Sequence, residues 1–316
     1  MRGRLWCGAA ARSLMRTTGL ADAREAMVQQ VVALLDEVGI DEPPVDLRIV
    51  GSFERVKDIQ SVVMPQAGRL VPDGSGFTIH VNAHHSHGKQ NFTIGHEIGH
   101  ILVPSYRARP RLVDDMTTGA YDQVHEEEYL CDVAAAELLM PMALFRPRAA
   151  AVGFSLDAVV DLARLFHASR EAVAIRLAQT DLWPSAVAVW HQAYKPTQQQ
   201  ALGQPTFVGM EWAAPQKELR VRYAVHSSAF GHYLHRHLAA EADGCLANCF
   251  REGGVVSGVE QLELHKRLVS FQVVAGAVDF YGEDGPVREV LSLLLSQGVV
   301  PSPDQRRFDL WSSVED

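Results

Sequence analysis

Apolar residues recur at helical spacing over residues 22–38, where Ala26, Val28, Val31, Val32, Leu34 and Leu35 share a broad face and Gly39 supplies a stop. This predicts an amphipathic helix. Pro43 and Pro44 follow, and Val45, Leu47 and Ile49 then alternate with polar residues, the period-two pattern of a half-buried strand over 45–50. Further strands are expected at 61–65 and 77–82, with the turn-rich stretch 72–76 between them. A largely apolar helix comes next, capped by Asn91 or Thr93 and stopped at Pro104. Residues 125–141 are nearly all helix formers and apolar on most faces from Leu130 to Met140, so they predict a buried helix. Between the two lies a mixed-charge connection, 105–122, long enough to form the rim of a site.

Residues 155–165 form an amphipathic run that Ser155 can cap, and a second helix follows to 179 after a short turn. From Trp183 the texture changes. Strands are expected at 186–190, 219–225 and 268–275, helices at 229–242 and 287–295, and a glutamine-rich loop at 195–205. The whole reads as an α+β chain.

The chemistry concentrates in the segment TIGHEIGHILVP at 93–104, where His96, Glu97 and His100 spell H-E-x-x-H. Residues four apart share a helix face, so both histidines can grip one metal ion with Glu97 beside it. Zinc binds neutral imidazole nitrogens and, in catalytic sites, keeps a position open for a water whose proton a nearby carboxylate can take. Glu97 is the candidate base. Its apolar surroundings would penalise a glutamate and two histidines lacking partners, and a metal removes that cost.

Two histidines leave a catalytic zinc in need of a third protein ligand. Glu126, Glu127 and Glu128 open the second helix, and periodicity does not choose among them because that helix is apolar almost all round. Glu128 aligns with Cys131, Ala135 and Leu138 on one face, and Asp132 lies one turn on, placed to support a ligand. Acidic residues in a first turn also favour the helix dipole, which serves for Glu126 and Glu127. His84, His85 and His87 sit in a polar loop and read as solvated. His232, His235, His237, Cys245 and Cys249 fit no established zinc spacing.

Together, TIGHEIGHILVP and EYLCDVAAAELLMP resemble the ImmA/IrrE family of bacterial metallopeptidases, and the run from Phe166 to Leu177 is similar to that family's next segment. The resemblance extends over about residues 22–180. It implies that His96, His100 and Glu128 hold zinc and that Glu97 is the general base; it differs at Asp132, where the family usually has Asn. It also implies a minimal zincin-like fold of helix, small sheet, H-E-x-x-H helix and glutamate helix, followed by a helix-turn-helix-like unit. The expected organisation is a disordered extension over 1–21, a zinc metallopeptidase domain over 22–150 and the helical unit over 151–182. A C-terminal α+β domain over 183–316, sensory or substrate-docking, completes it.

The implied activity is endopeptidase cleavage of a specific protein, a helix-turn-helix repressor, in stress response or mobile-element control. A zinc-containing transcriptional regulator or antitoxin-like protein without protease activity is the alternative. At 316 residues the chain has room for about two domains, and its net charge of −9 gives no sign of a general nucleic-acid binder. The helix over 170–179 carries only Arg170 and Arg176 with Glu171 between them, which favours packing over direct DNA reading. Four scattered cysteines form no disulfide framework and fit a reducing cytoplasm, and no stretch has the roughly 20 apolar residues of a membrane span.

Overall fold

The computed structural model describes residues 5–104, 123–201, 216–282 and 285–296. In chain order the elements are α1 (Ala9–Thr18), α2 (Ala23–Val38), α3 (Leu47–Phe53), β1 (Val56–Val62), β2 (Gly68–Asp73), β3 (Gly76–Asn82), α4 (His87–Leu102) and α5 (Gln123–Leu139). They continue with α6 (Met142–Val152), α7 (Leu156–Phe166), α8 (Arg170–Gln179), β4 (Ser185–Ala193), α9 (Pro196–Ala201) and β5 (Glu218–His226). The last are α10 (Cys245–Glu252), β6 (Val255–Leu264), β7 (Arg267–Gly282) and β8 (Gly285–Ser296). Two compact units divide this chain. The first runs through Pro147 and includes Ala163–Ser169; the second comprises Arg148–Leu162 and the chain from Arg170.

The first unit has a three-stranded sheet in the order β1-β3-β2, with β1 parallel and β2 antiparallel to β3. α1 and α2 pack together, and α2 in turn packs on α5. Met27, Val31, Ile79, Ile98, Leu130 and Leu138 are among the fully buried side chains at its centre. The closest helix pair is α4 with α5, and glycine makes it close. A Cβ at Gly99 would lie 2.9 Å from Ala134 Cβ and 3.0 Å from Cys131 Cα, and one at Gly95 would lie 3.0 Å from Ala135 Cα. Only a bare backbone fits at those two positions.

Several expectations fail or shift in this unit. Residues 45–50 start a helix, because the Asp46 carboxylate accepts from Arg48 N and Ile49 N at 2.8 and 3.4 Å. Val50 then turns inward while Ile49, which an alternating strand would bury, is half exposed. The expected disordered extension over 1–21 contains α1, whose Ala10, Ala11 and Leu14 are buried; its alanines, leucine and arginines are all good helix formers. α4 also begins earlier than its expected caps, at His87, and ends just before Pro104. The strand expected at 61–65 lies at Val56–Val62. The 105–122 connection falls outside the described residues.

The second unit contains a five-stranded antiparallel sheet in the order β5-β4-β8-β7-β6. Trp190, Val221, Phe271, Val273 and Leu294 build its core with Phe230, Leu234, Leu238 and Leu246. α10 is held at both ends by side chains from the sheet. Glu260 on β6, fully buried, accepts from Leu246 N at 3.1 Å and from Glu241 N at 3.0 Å, while Arg288 on β8 donates to Phe250 O at 3.1 Å. Acid at the helix start and base at its end both suit the helix dipole.

Residues 287–295, expected as a helix, form a strand instead. β8 is central, paired with β4 and β7, and every residue from Val290 to Leu295 is buried, so the run carries no periodicity to separate strand from helix. Nor is 229–242 a helix. Gly231 and His237 take φ of 75° and 70°, and the chain follows β5 with Val221 N donating to Leu238 O and His237 N to Val221 O, both at 2.8 Å. Phe230, Leu234 and Leu238 merely enter the core at every fourth residue, which mimics a helical face. Of the 195–205 loop, residues 196–201 form α9 and 202–205 lie outside the described residues.

The packing of α4 on α5 makes a direct prediction. Gly99→Val forces branched carbon into the Ala134–Cys131 contact and should lower stability by about 2 kcal/mol, read from the denaturant midpoint. An unchanged midpoint would mean that the two helices are not locked at this glycine.

Candidate metal centre

α4 presents His96 and His100 on one face with ring centroids 5.0 Å apart. The Gly95 and Gly99 contact lays the first turns of α5 across them, and the donor atoms then sort themselves. His96 Nε2 is 3.1 Å from Glu128 Oε2, and His100 Nε2 is 3.7 Å from Glu128 Oε1. The other ring nitrogens meet different carboxylates: His96 Nδ1 lies 2.8 Å from Asp132 Oδ1, and His100 Nδ1 lies 3.2 Å from Glu127 Oε1. Each imidazole is therefore held from behind by one acid and turns its Nε2 toward Glu128. That is the arrangement in which a carboxylate fixes the tautomer of a metal-binding histidine and raises its basicity.

The donor set fits a small divalent cation. Ligands at about 2.0–2.1 Å from a tetrahedral ion lie roughly 3.4 Å from one another, which matches the spacings of Glu128 to the two Nε2 atoms. His100 is nearly inaccessible, with 3 % of its side chain exposed, whereas Glu128 retains 37 % and gives the site its open side. Glu97, Glu127, Glu128 and Asp132 place four carboxylates around two imidazoles. Burial by itself disfavours a charged His96, but its bonds to Asp132 and Glu128 outweigh that and push it up to about 9. The proton on His96 offsets charge that a bound cation would offset better.

Glu97 is buried, at 3 % exposure, and lies on the side of α4 that meets β2. A Cβ at Gly68, where β2 begins, would come 3.5 Å from Glu97 Oε1 and 2.2 Å from Thr93 Cγ2. Among the described residues, β2 has only β3 as a neighbour within its sheet.

The three successive glutamates have separate tasks. Glu128 faces the imidazoles and Glu127 supports His100, a contact that the helix-dipole reading overlooked. Glu126, 1 % exposed, accepts from Cys7 N at 3.0 Å and from Gly8 N at 2.6 Å and so anchors the start of α1. Side chains one position apart on a helix diverge by about 100°, a signal that three neighbours cannot share one job. Cys131 also joins His96 and His100 in a group of donor atoms all within 4.8 Å of one another.

Among the described residues, the second cluster of the sequence does not assemble as a donor group. Cys245 Sγ donates to Glu260 at 3.2 Å, Cys249 Sγ to Gly254 O at 3.5 Å, and His232 sits against Phe230 and Phe271. Burial pushes both thiols up to about 12, which suits inert core cysteines. His125 is exposed, and Tyr121 lies outside the described residues.

The imidazole pair and its carboxylates all lie inside a segment, residues 58–178, that matches the family model described as Peptidase_M78, IrrE N-terminal-like domain. Residues 58–178 are similar to an IrrE N-terminal-like domain. The match opens within β1 and closes within α8, so α1 to α3 and the five-stranded sheet lie beyond it. A solved structure entitled "Mycobacterium tuberculosis transcriptional regulator" has a similar fold, with a TM-score of 0.53 and 12 % identity over 91 % of this chain and 79 % of that one. No curated protein matches the chain. Among the described residues, no helix is long and apolar enough to cross a membrane.

The raised His96 sets a pH dependence. A cation must displace its proton, so affinity for zinc should fall by at least about tenfold for each unit of pH below 9, measured by chelator competition. In the metal-free protein the same group stabilises the fold fully below its unfolded value of 6.5, and that contribution is lost as pH rises through about 9. Zinc affinity that stays flat from about pH 9 down to pH 6 would contradict this arrangement.

Proposed function

We propose that the chain is a zinc-dependent endopeptidase acting on a specific protein partner. The observation that carries this is the sorted pairing of the two imidazoles: both Nε2 atoms face Glu128, while Asp132 and Glu127 hold the Nδ1 atoms. His96, His100 and Glu128 would hold the metal. Zinc in that place would polarise a scissile carbonyl and make water acidic enough to react near neutral pH.

Glu97, on the same helix turn as His96, takes the proton of the attacking water and returns it to the departing amine. Its near-complete burial keeps the carboxylate from being screened by bulk solvent. β2, whose Gly68 lies close to Glu97 and whose outer edge pairs with no strand among the described residues, offers backbone donors and acceptors on which an extended peptide can add as a further strand. Asp132 and Glu127 orient the rings and take no part in proton transfer to substrate.

The partner is proposed to be a helix-turn-helix transcriptional repressor in stress response or mobile-element control, met in the cytoplasm. The resemblance of the two zinc-helix segments to the ImmA/IrrE family supports this, as does a fold shared with a protein titled a transcriptional regulator. Direct DNA reading by α8 is disfavoured, since Arg176 is 3 % exposed and donates to Gln179 at 3.3 Å. α8 instead packs on β4 and β5, with Tyr223 donating to Glu171. The C-terminal sheet is the proposed sensory or docking module.

Glu97→Gln separates metal binding from chemistry. The variant should retain zinc at wild-type stoichiometry while cleavage of the repressor falls at least about 100-fold, the scale of a lost general base. Cleavage at the wild-type rate would remove Glu97 from the mechanism. Absence of cleavage in both proteins, with zinc bound, would favour a regulator that uses the metal for structure.

A further inference from the structure

Glu128 is not the only donor that α5 extends toward the imidazoles. One turn along, Cys131 is fully buried, and its Sγ belongs to the group with His96 and His100 whose donor atoms all lie within 4.8 Å of one another. Its position follows from the helix packing. A Cβ at Gly99, the residue just before His100, would touch Cys131 Cα at 3.0 Å, so Cys131 sits where α4 and α5 pack tightly. Residues three apart on a helix share a face, so the face that carries Glu128 to the imidazoles carries Cys131 toward the same two rings.

The chemistry of the two donors differs. Glu128 is an oxygen donor with 37 % of its side chain exposed; Cys131 is a sulfur donor with no exposure. A buried thiol stays protonated in apolar surroundings, but a divalent cation within reach inverts that preference and deprotonates it. Thiolate is also the softer ligand, and zinc accepts two nitrogens with sulfur readily.

We propose that Cys131 Sγ is a fourth protein ligand of the metal held by His96, His100 and Glu128, so that the resting centre is closed by sulfur from its buried side. The inference rests on the metal reading above and deepens it. One metal–sulfur bond forms, the thiol proton passes to solvent, and nothing is oxidised or reduced. Four-coordinate zinc places nitrogen and sulfur ligands roughly 3.6 Å apart, so the group need contract by no more than about an ångström on binding. A four-coordinate site closed in this way presents an open position when the thiolate withdraws, which makes Cys131 a gate on the activity rather than a part of its chemistry.

Cobalt(II) reads this directly, because a cobalt–thiolate bond gives an intense near-ultraviolet charge-transfer band that nitrogen and oxygen ligands lack. The full-length protein loaded with cobalt(II) should show the band. Cys131→Ala and Cys131→Ser should bind cobalt at the same stoichiometry and lose it, while Cys7→Ala, which removes an exposed thiol, should keep it. A wild-type protein that binds cobalt without the band, or a band that survives in both Cys131 variants, overturns the proposal and leaves the three-ligand reading standing. Cobalt binding that is undiminished in His96→Ala, or absent from the wild type, overturns the metal reading and this inference together.

Discussion

Everything at the candidate centre depends on how closely α4 and α5 approach. Imidazoles on one helix and carboxylates on another, some thirty residues later, meet at hydrogen-bonding distance only because Gly95 and Gly99 present no side chain to Ala135, Ala134 and Cys131. A methyl on Gly99 would meet Ala134 Cβ at 2.9 Å and Cys131 Cα at 3.0 Å, so α5 would have to shift on the helix that carries both histidines. The same constraint explains the small residues of α5: Ala134 and Ala135 serve the approach, and Glu127, Glu128 and Asp132 use it. α1 bears on this geometry from outside, since Glu126 is tied down by the backbone of Cys7 and Gly8 and fixes the rotation of the first turn of α5. Trp6 adds to the tie, bonded to Asp22 at 3.0 Å and packed near Tyr129.

How much of this was legible in the sequence depends on how local the determining interactions are. The H-E-x-x-H helix and the glutamate helix could be read because each is set by i, i+4 spacing and helix formers within one segment. The division of labour among Glu126, Glu127 and Glu128 could not, because it depends on where α1 and the histidine rings lie. Residues 45–50 show the limit on a smaller scale: the alternation of Val45, Leu47 and Ile49 was real, but the Asp46 cap decided the outcome. Residues 287–295 show it on a larger one. Leucines and valine buried on both faces of a central strand leave no period for the eye to follow.

The C-terminal sheet follows the same logic of side chains answering backbone ends. Glu260 and Arg288 reach from strands to the two termini of α10, and Trp190 Nε1 donates at 2.7 Å to Ser292 Oγ, which itself donates to Ala188 O at 3.2 Å. Each buried polar group in this chain of bonds is satisfied, so the core keeps one arrangement. Burial holds the Glu260 carboxyl above the usual carboxylate range in spite of the three donors it receives.

The central claim is a claim about position: that the charge and geometry of His96, His100, Glu128 and their supporting acids define one cation site. Anomalous diffraction from crystals of the zinc-loaded protein, collected on either side of the zinc absorption edge, tests it most directly. The account predicts one strong peak per chain, bounded by His96 Nε2, His100 Nε2 and the Glu128 carboxylate, with Asp132 and Glu127 still bonded to the Nδ1 atoms. A peak located elsewhere, or a zinc ion bound through Nδ1 with those two carboxylates displaced, would contradict it.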